Sequence, residues 1–169
     1  MSQIPPAVRV MTTNSPGPHL WRQVLDLRMQ VFGGEQGIIE LTASDHDDLG
    51  AVHVLAILDE VGTQRVVGAG RVMLGHRQPN EALITWVMTD PRWRRKGIGT
   101  AVMQTLLHQA DTQGIEEILL AAQTHAGSFY EELGFRPVGR PYEVSGIPHQ
   151  WMSRSRPRRT GWPIPNPFA

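Results

Sequence analysis

The chain has 169 residues, one ordinary globular domain's worth, and 40% of them are apolar, so a single sizeable core is expected without covalent staples. It contains no cysteine, which excludes a disulfide scaffold, a thiolate-held metal site and a cysteine nucleophile. Sixteen basic residues balance sixteen acidic ones, so any anion site must come from local clustering rather than from overall charge.

Residues 8–12 read as a short strand after a proline-rich lead. Across 19–32, Leu20, Val24, Leu27 and Val31 recur at helical spacing, and Gly33-Gly34 ends that helix. Residues 35–50 have little periodicity and an acidic cluster (Asp45, Asp47, Asp48), so they are expected to be mostly loop, with room for one short helix. The apolar segments 52–58 and 66–74 flank a turn and predict an antiparallel hairpin, with a further strand at 83–89. Ile98, Val102, Leu106, Leu107 and Ala110 form a helical stripe closed by Gly114. A buried strand at 118–122, a short helix at 126–133 and strands at 135–138 and 148–153 complete one domain over 1–153.

From 154 onward, Arg154, Arg156, Arg158 and Arg159 alternate with prolines, ahead of Trp162-Pro163-Ile164-Pro165. Proline cannot donate to a ladder, so this tail is expected to be extended. It reads as a solvated or loosely docked tail, a partner-docking segment or a nucleic-acid arm. The balanced charge makes the last the weakest reading. The longest apolar runs, 54–58 and 118–122, are far too short for a membrane span. With no targeting pattern at the N-terminus, a soluble cytosolic protein is expected and no membrane partner.

The chemistry concentrates at Thr89-Asp90-Pro91-Arg92-Trp93-Arg94-Arg95-Lys96-Gly97-Ile98-Gly99-Thr100. A strand ends at a proline, four cations crowd five positions, and two glycines open a helix. Unpaired N–H groups at a helix start, glycines at 97 and 99 that let a bulky anion reach the backbone with no Cβ in the way, and nearby cations read as a phosphate cradle; the competing reading is a charged turn with capping glycines. It is not the P-loop, because Lys96 precedes the first glycine. Nor is it the dinucleotide fingerprint, because the third glycine is missing.

Arg94-x-x-Gly97-x-Gly99 after a strand and proline resembles the acetyl-CoA signature of the GNAT N-acetyltransferases. Gln123-x-x-Ala126-x-x-Phe129-Tyr130-Glu131-Glu132-Leu133-Gly134-Phe135 is similar to that family's strand-5/helix-4 segment, with Gln123 where the family more often has asparagine. Residues 28–36, 45–49 and 122–149 further resemble the ElaA-like subgroup. The resemblance implies an α/β (α+β) GNAT fold, with a central mixed, mostly antiparallel sheet of six to seven strands. That sheet would splay between strands 4 and 5 and be flanked by about four helices. It implies acetyl-CoA as co-substrate and a small-molecule or peptide amine as acceptor, and family members often form homodimers. By the same resemblance, the backbone of Val87, Met88 and Thr89 meets the pantetheine. Arg94, Arg95, Lys96, Gly97, Ile98, Gly99 and Thr100 hold the pyrophosphate, and Gln123 and Phe129 complete the cofactor groove.

Acyl transfer to an amine needs a base for the ammonium and an acid for the departing thiolate. Tyr130 stands at the family's usual general-acid position; the competing reading is a tyrosine that packs without donating. For the base, Glu35 and His149 are both candidates. Glu35 could equally cap a helix, and His149 could be a satisfied, partly buried histidine. Asp45, Asp47 and Asp48 could line a pocket for a cationic acceptor or form a solvated loop. Seven histidines without an HxxxH or His–carboxylate helix pattern predict no metal site. The alternative function is a non-catalytic acyl-CoA-binding module that keeps the cradle alone.

Overall fold

In the computed structural model, which describes residues 3–35 and 44–156, the chain begins with β1 (Val8–Thr13) and α1 (Pro18–Arg28), then a π-helical turn over Met29–Glu35. A 3-10 turn (His46–Leu49) leads into β2 (Val52–Glu60), β3 (Thr63–Leu74) and β4 (Glu81–Thr89). A second 3-10 turn (Pro91–Trp93) precedes α2 (Ile98–Thr112), and β5 (Glu117–Gln123) follows. A third (Thr124–Ala126) leads to α3 (Gly127–Glu132), β6 (Arg136–Val144) and β7 (Ile147–Ser155). The tail beyond Arg156, and Gln36 of the subgroup resemblance, lie outside the described residues.

The strands form one seven-stranded sheet in the order β1-β2-β3-β4-β5-β7-β6, antiparallel except between β4 and β5. Both faces of its centre are covered. Val54, Ala56 and Leu58 of β2 join the core under α2, whereas Leu55 and Ile57 join the core under α1. Successive strand residues point to opposite faces, so a strand buried on both sides must read as an unbroken apolar run. On the α2 side, the buried stripe is Ile98, Val102, Met103, Leu106, Leu107 and Ala110. Gly68 and Gly70 of β3 admit that helix. A Cβ at Gly68 would come within 2.6 Å of Ile98 Cγ2, and one at Gly70 within 2.8 Å of Leu106 Cδ1.

Several boundaries depart from expectation, three of them at the ends of elements around the site. α1 stops at Arg28, and Gly33-Gly34, read as a terminator, lie inside the π turn that runs on to Glu35. Tertiary anchors explain the continuation: Val31 is buried, Phe32 packs edge-on against Trp86, and Glu35 pairs with Arg94. β6 extends to Val144 across an irregularity between Val138 and Tyr142, where Gly139 has φ 72°. β7 continues through Ser155, because Arg154 binds Asp111 on α2 and Ser153 donates to Glu117. Arg154 thus belongs to the sheet. Among the described residues, no helix is long and apolar enough to cross a membrane.

Candidate active site

The basic turn is built by Asp90. Its buried carboxylate accepts from the Arg92 amide at 2.9 Å and from the Arg92 guanidinium at 2.9 Å, while its own amide donates to Val67 at 2.8 Å. Arg95 (φ 60°) and Gly97 (φ 76°) then both take left-handed backbone on either side of Lys96. The first helical bond of α2 runs from the Ala101 amide to the Gly97 carbonyl, and no side chain caps the helix. The amides at 98–100 therefore lack intrahelical partners, as an anion cradle requires.

The four cations of the turn divide. Arg92 is neutralised by Asp90, and Arg94 forms a two-pronged pair with Glu35, with Nη2 to Oε2 at 2.8 Å. Arg95 and Lys96 form no ion pair among the described residues. Hydrogen bonding from Arg94 holds the Glu35 carboxyl below its ordinary range and outweighs the upward pull of burial.

β4 and β5 pair only at Glu81↔Glu117, Ala82↔Ile118 and Leu83↔Leu119, after which the strands part. On its other edge, β4 carries a bulge. Met88 pairs with Ala69 and Thr85 with Arg71, so Trp86 and Val87 stand opposite Gly70 alone. Trp86 sits at φ 57°, costly for a bulky residue at roughly 1–3 kcal/mol.

A buried ionic network holds that conformation. Arg71 donates from Nε to Thr85 Oγ1 at 2.8 Å and from its guanidinium nitrogens to Asp45 and Asp48. Asp45 accepts from the Trp86 indole N–H at 3.2 Å. Arg28, 1% exposed, forms a two-pronged pair with Asp48 at 2.9 and 3.0 Å. Its guanidinium lies 5.2 Å from the Trp21 ring centre and 4.7 Å from that of Trp86. Burial alone would raise the Asp48 carboxyl; the bonds from Arg28, the Asp45 amide and Arg71 outweigh it and hold the group low. Burial pushes His53 down, and its Nε2 donates to the Asp48 carbonyl at 2.9 Å. Asp45 and Asp48 are thus occupied with arginines.

Two cavities meet at the parted strands. The first, about 540 Å³, is lined by Val87, Met88 and Thr89 of β4, by Arg94 and Arg95, by Gly97, Ile98, Gly99 and Thr100 of α2, and by Phe129. The second, about 220 Å³, lies beyond β4 and includes Phe32, Trp86, Gln123 and His149. Val87, His125, Ala126 and Tyr130 line both. Of the sequence candidates, Lys96 and Glu35 line neither, and Asp47 lies at the distant surface near His76.

Tyr130 packs edge-on against Phe129 (5.0 Å) and Phe135 (6.1 Å), and burial pushes its phenol up to about 12. The hydroxyl makes no hydrogen bond among the described residues. His149 stacks on Tyr142 at 5.7 Å, and its Nδ1 lies 2.8 Å from the Ile147 carbonyl. A carbonyl only accepts, so Nδ1 carries the proton, and in the neutral ring Nε2 keeps its lone pair. Sequence reasoning missed Phe32, Trp86, Arg28 and Arg71. The available signal was two arginines in otherwise apolar phases of a helix and a strand, at Arg28 and Arg71. No group of metal-ligating side chains gathers among the described residues.

A family model described as an acetyltransferase (GNAT) domain matches residues 49–156. The chain belongs to the GNAT acetyltransferase family. A Bacillus subtilis protein carrying an acetyltransferase name is 32% identical over 133 residues, 76% of this chain and 85% of its own length. Escherichia coli ElaA is 29% identical over 134 residues, 78% of this chain and 84% of its own. The crystal structure of Escherichia coli ElaA superposes with a TM-score of 0.78 at 25% identity, covering 88% of this chain and 99% of that one. An aminoglycoside 6'-N-acetyltransferase complexed with coenzyme A shares the fold, with a TM-score of 0.66 at 16% identity over 87% of this chain and 96% of that one. These likenesses agree with the seven-stranded mixed sheet of this GNAT chain, parallel between β4 and β5.

Proposed function

We propose that the protein transfers an acetyl group from acetyl-CoA directly to a primary amine. The observation that carries this reading is the meeting of two cavities at Tyr130 beside the edge of β4 that β5 leaves unpaired. The larger cavity suits a CoA thioester. The unpartnered amides at 98–100 and the cations Arg94 and Arg95 face a diphosphate, and the free edge of β4 at 87–89 offers backbone groups to a pantetheine. The smaller cavity then receives the acceptor.

His149 is the base in this scheme. Its Nε2 takes the proton that the amine sheds, directly or through one water, as the amine nitrogen bonds to the thioester carbon. Tyr130 is the acid and gives its phenolic proton to the thiolate sulfur as the carbon–sulfur bond breaks. A backbone N–H at the Trp86–Val87 bulge can donate to the oxygen that gains negative charge. Glu35 serves to orient Arg94 rather than to accept a proton.

A free-thiol assay with acetyl-CoA and a panel of amines tests the proposal, using Tyr130→Phe as control. The wild type should release CoA with at least one amine. The variant should lose about 10²-fold in kcat while binding CoA within twofold of wild type. Unchanged kcat in Tyr130→Phe would remove the acid role. Cofactor binding with no thiol release from any amine would mark a binding module instead.

A further inference from the structure

The smaller cavity carries information about its ligand beyond the transfer reaction. Its walls are Phe32 and Trp86 in an edge-to-face pair (5.1 Å, 82°), with Ile84, Leu120 and Tyr130 and the polar tips of His149 and Gln123. Among the described residues, no aspartate or glutamate lines it. At about 220 Å³ it falls below the ~300–1,000 Å³ of pockets for drug-sized ligands.

Three acidic groups that pack around the site are committed elsewhere. Asp45 is held by Arg71 and the Trp86 indole, Asp48 by Arg28 and Arg71, and Glu35 by Arg94. One face of the Trp86 ring already carries the Arg28 guanidinium at 4.7 Å. A ligand with several ammonium groups would meet no carboxylate among the described lining residues, and an unpaired buried charge is strongly disfavoured. A single amine on an apolar body meets the opposite situation. Its ring or chain buries against Phe32, Ile84 and Leu120, and the apolar walls favour the neutral amine that attack requires.

We infer that the smaller cavity selects a primary monoamine carried on an aromatic or apolar body and rejects polyamines. The inference rests on the acyl-transfer reading of the same site. The probes are 2-phenylethylamine and spermidine, titrated calorimetrically into the CoA-loaded protein, followed by acetyl-CoA turnover with each.

Wild type should bind 2-phenylethylamine at least tenfold more tightly than spermidine. Ala121→Asp places a carboxylate on the cavity wall contributed by β5, at an exposed position. It should lower that preference at least tenfold while CoA affinity stays within twofold. Equal or tighter spermidine binding to wild type overturns the inference, as does a preference unmoved by Ala121→Asp or the absence of binding by either amine. In those cases thiol release from acetyl-CoA with any other amine keeps the acyl-transfer reading intact. Failure of CoA itself to associate would instead sink that reading, and this one falls with it.

Discussion

Asp48 is where the buried charges of this fold meet, and its removal has a calculable consequence. The carboxylate, 7% exposed, accepts from Arg28 at 2.9 and 3.0 Å, from Arg71 at 2.8 Å and from the Asp45 amide at 3.0 Å. Asp48→Ala takes the shared countercharge from two arginines that are 1% and 3% exposed. Breaking a buried pair from one side costs about 3–5 kcal/mol, because the remaining charge stays desolvated. At ~2–4 °C per kcal/mol for a domain of this size, the melting temperature should fall by roughly 6–20 °C. Asp47→Ala, one residue away and exposed, is the control and should move stability by no more than about 0.5 kcal/mol.

The pH dependence follows from the lowered Asp48 carboxyl. A group lower in the folded than in the unfolded chain contributes fully above its unfolded value, near 3.9, and loses that contribution as pH falls through the folded value. The gap between wild type and Asp48→Ala should therefore be full at pH 7 and close progressively below about pH 4. Thermal melts by circular dichroism at pH 7, 5 and 3 measure it. A variant melting within 2 °C of wild type at pH 7 would refute the reasoning, as would a gap that widens in acid.

His149→Gln should lower kcat by about 10–10³-fold with little change in CoA affinity, read by thiol release at saturating acetyl-CoA; unchanged turnover would return the base to another group. Gly97→Val forces a β-branched residue to φ 76° at the start of α2. It should cost about 1–2 kcal/mol and weaken CoA binding, with Gly97→Asn milder on both counts by calorimetry and thermal melting. Gly68→Ala introduces a Cβ 2.6 Å from Ile98 Cγ2 and 3.3 Å from the Met88 carbonyl. It should destabilise by about 1–3 kcal/mol in urea unfolding, and no loss would mean that α2 gives way freely.

Much of the architecture was legible because it depends on neighbours along the chain. The stripe of α2, the alternation of strands and turns, and the glycine that opens the helix all follow from residue type and short spacing. Helix α1 was legible in its phase but not in its ending. Gly33-Gly34 signal a stop, yet contacts from Phe32 to Trp86 and from Glu35 to Arg94 carry the turn onward. Those partners lie 54 and 59 residues away, beyond the reach of any local rule. The same holds for Asp45 and Asp48, whose acidic run resembled a solvated loop until β3 and α1 brought Arg71 and Arg28 against it.

Residue order alone determined the glycine-opened start of α2: glycine tolerates the left-handed backbone found at 97, and a helix start leaves amides exposed wherever it occurs. Tertiary structure alone decided which cations remain available to a ligand, that Trp86 is bent into a bulge, and that Tyr130 and His149 share a chamber that Glu35 does not line. The physical reason is range. Backbone preferences act over a few bonds, whereas charge pairing and cavity walls depend on distances in space that the sheet order creates.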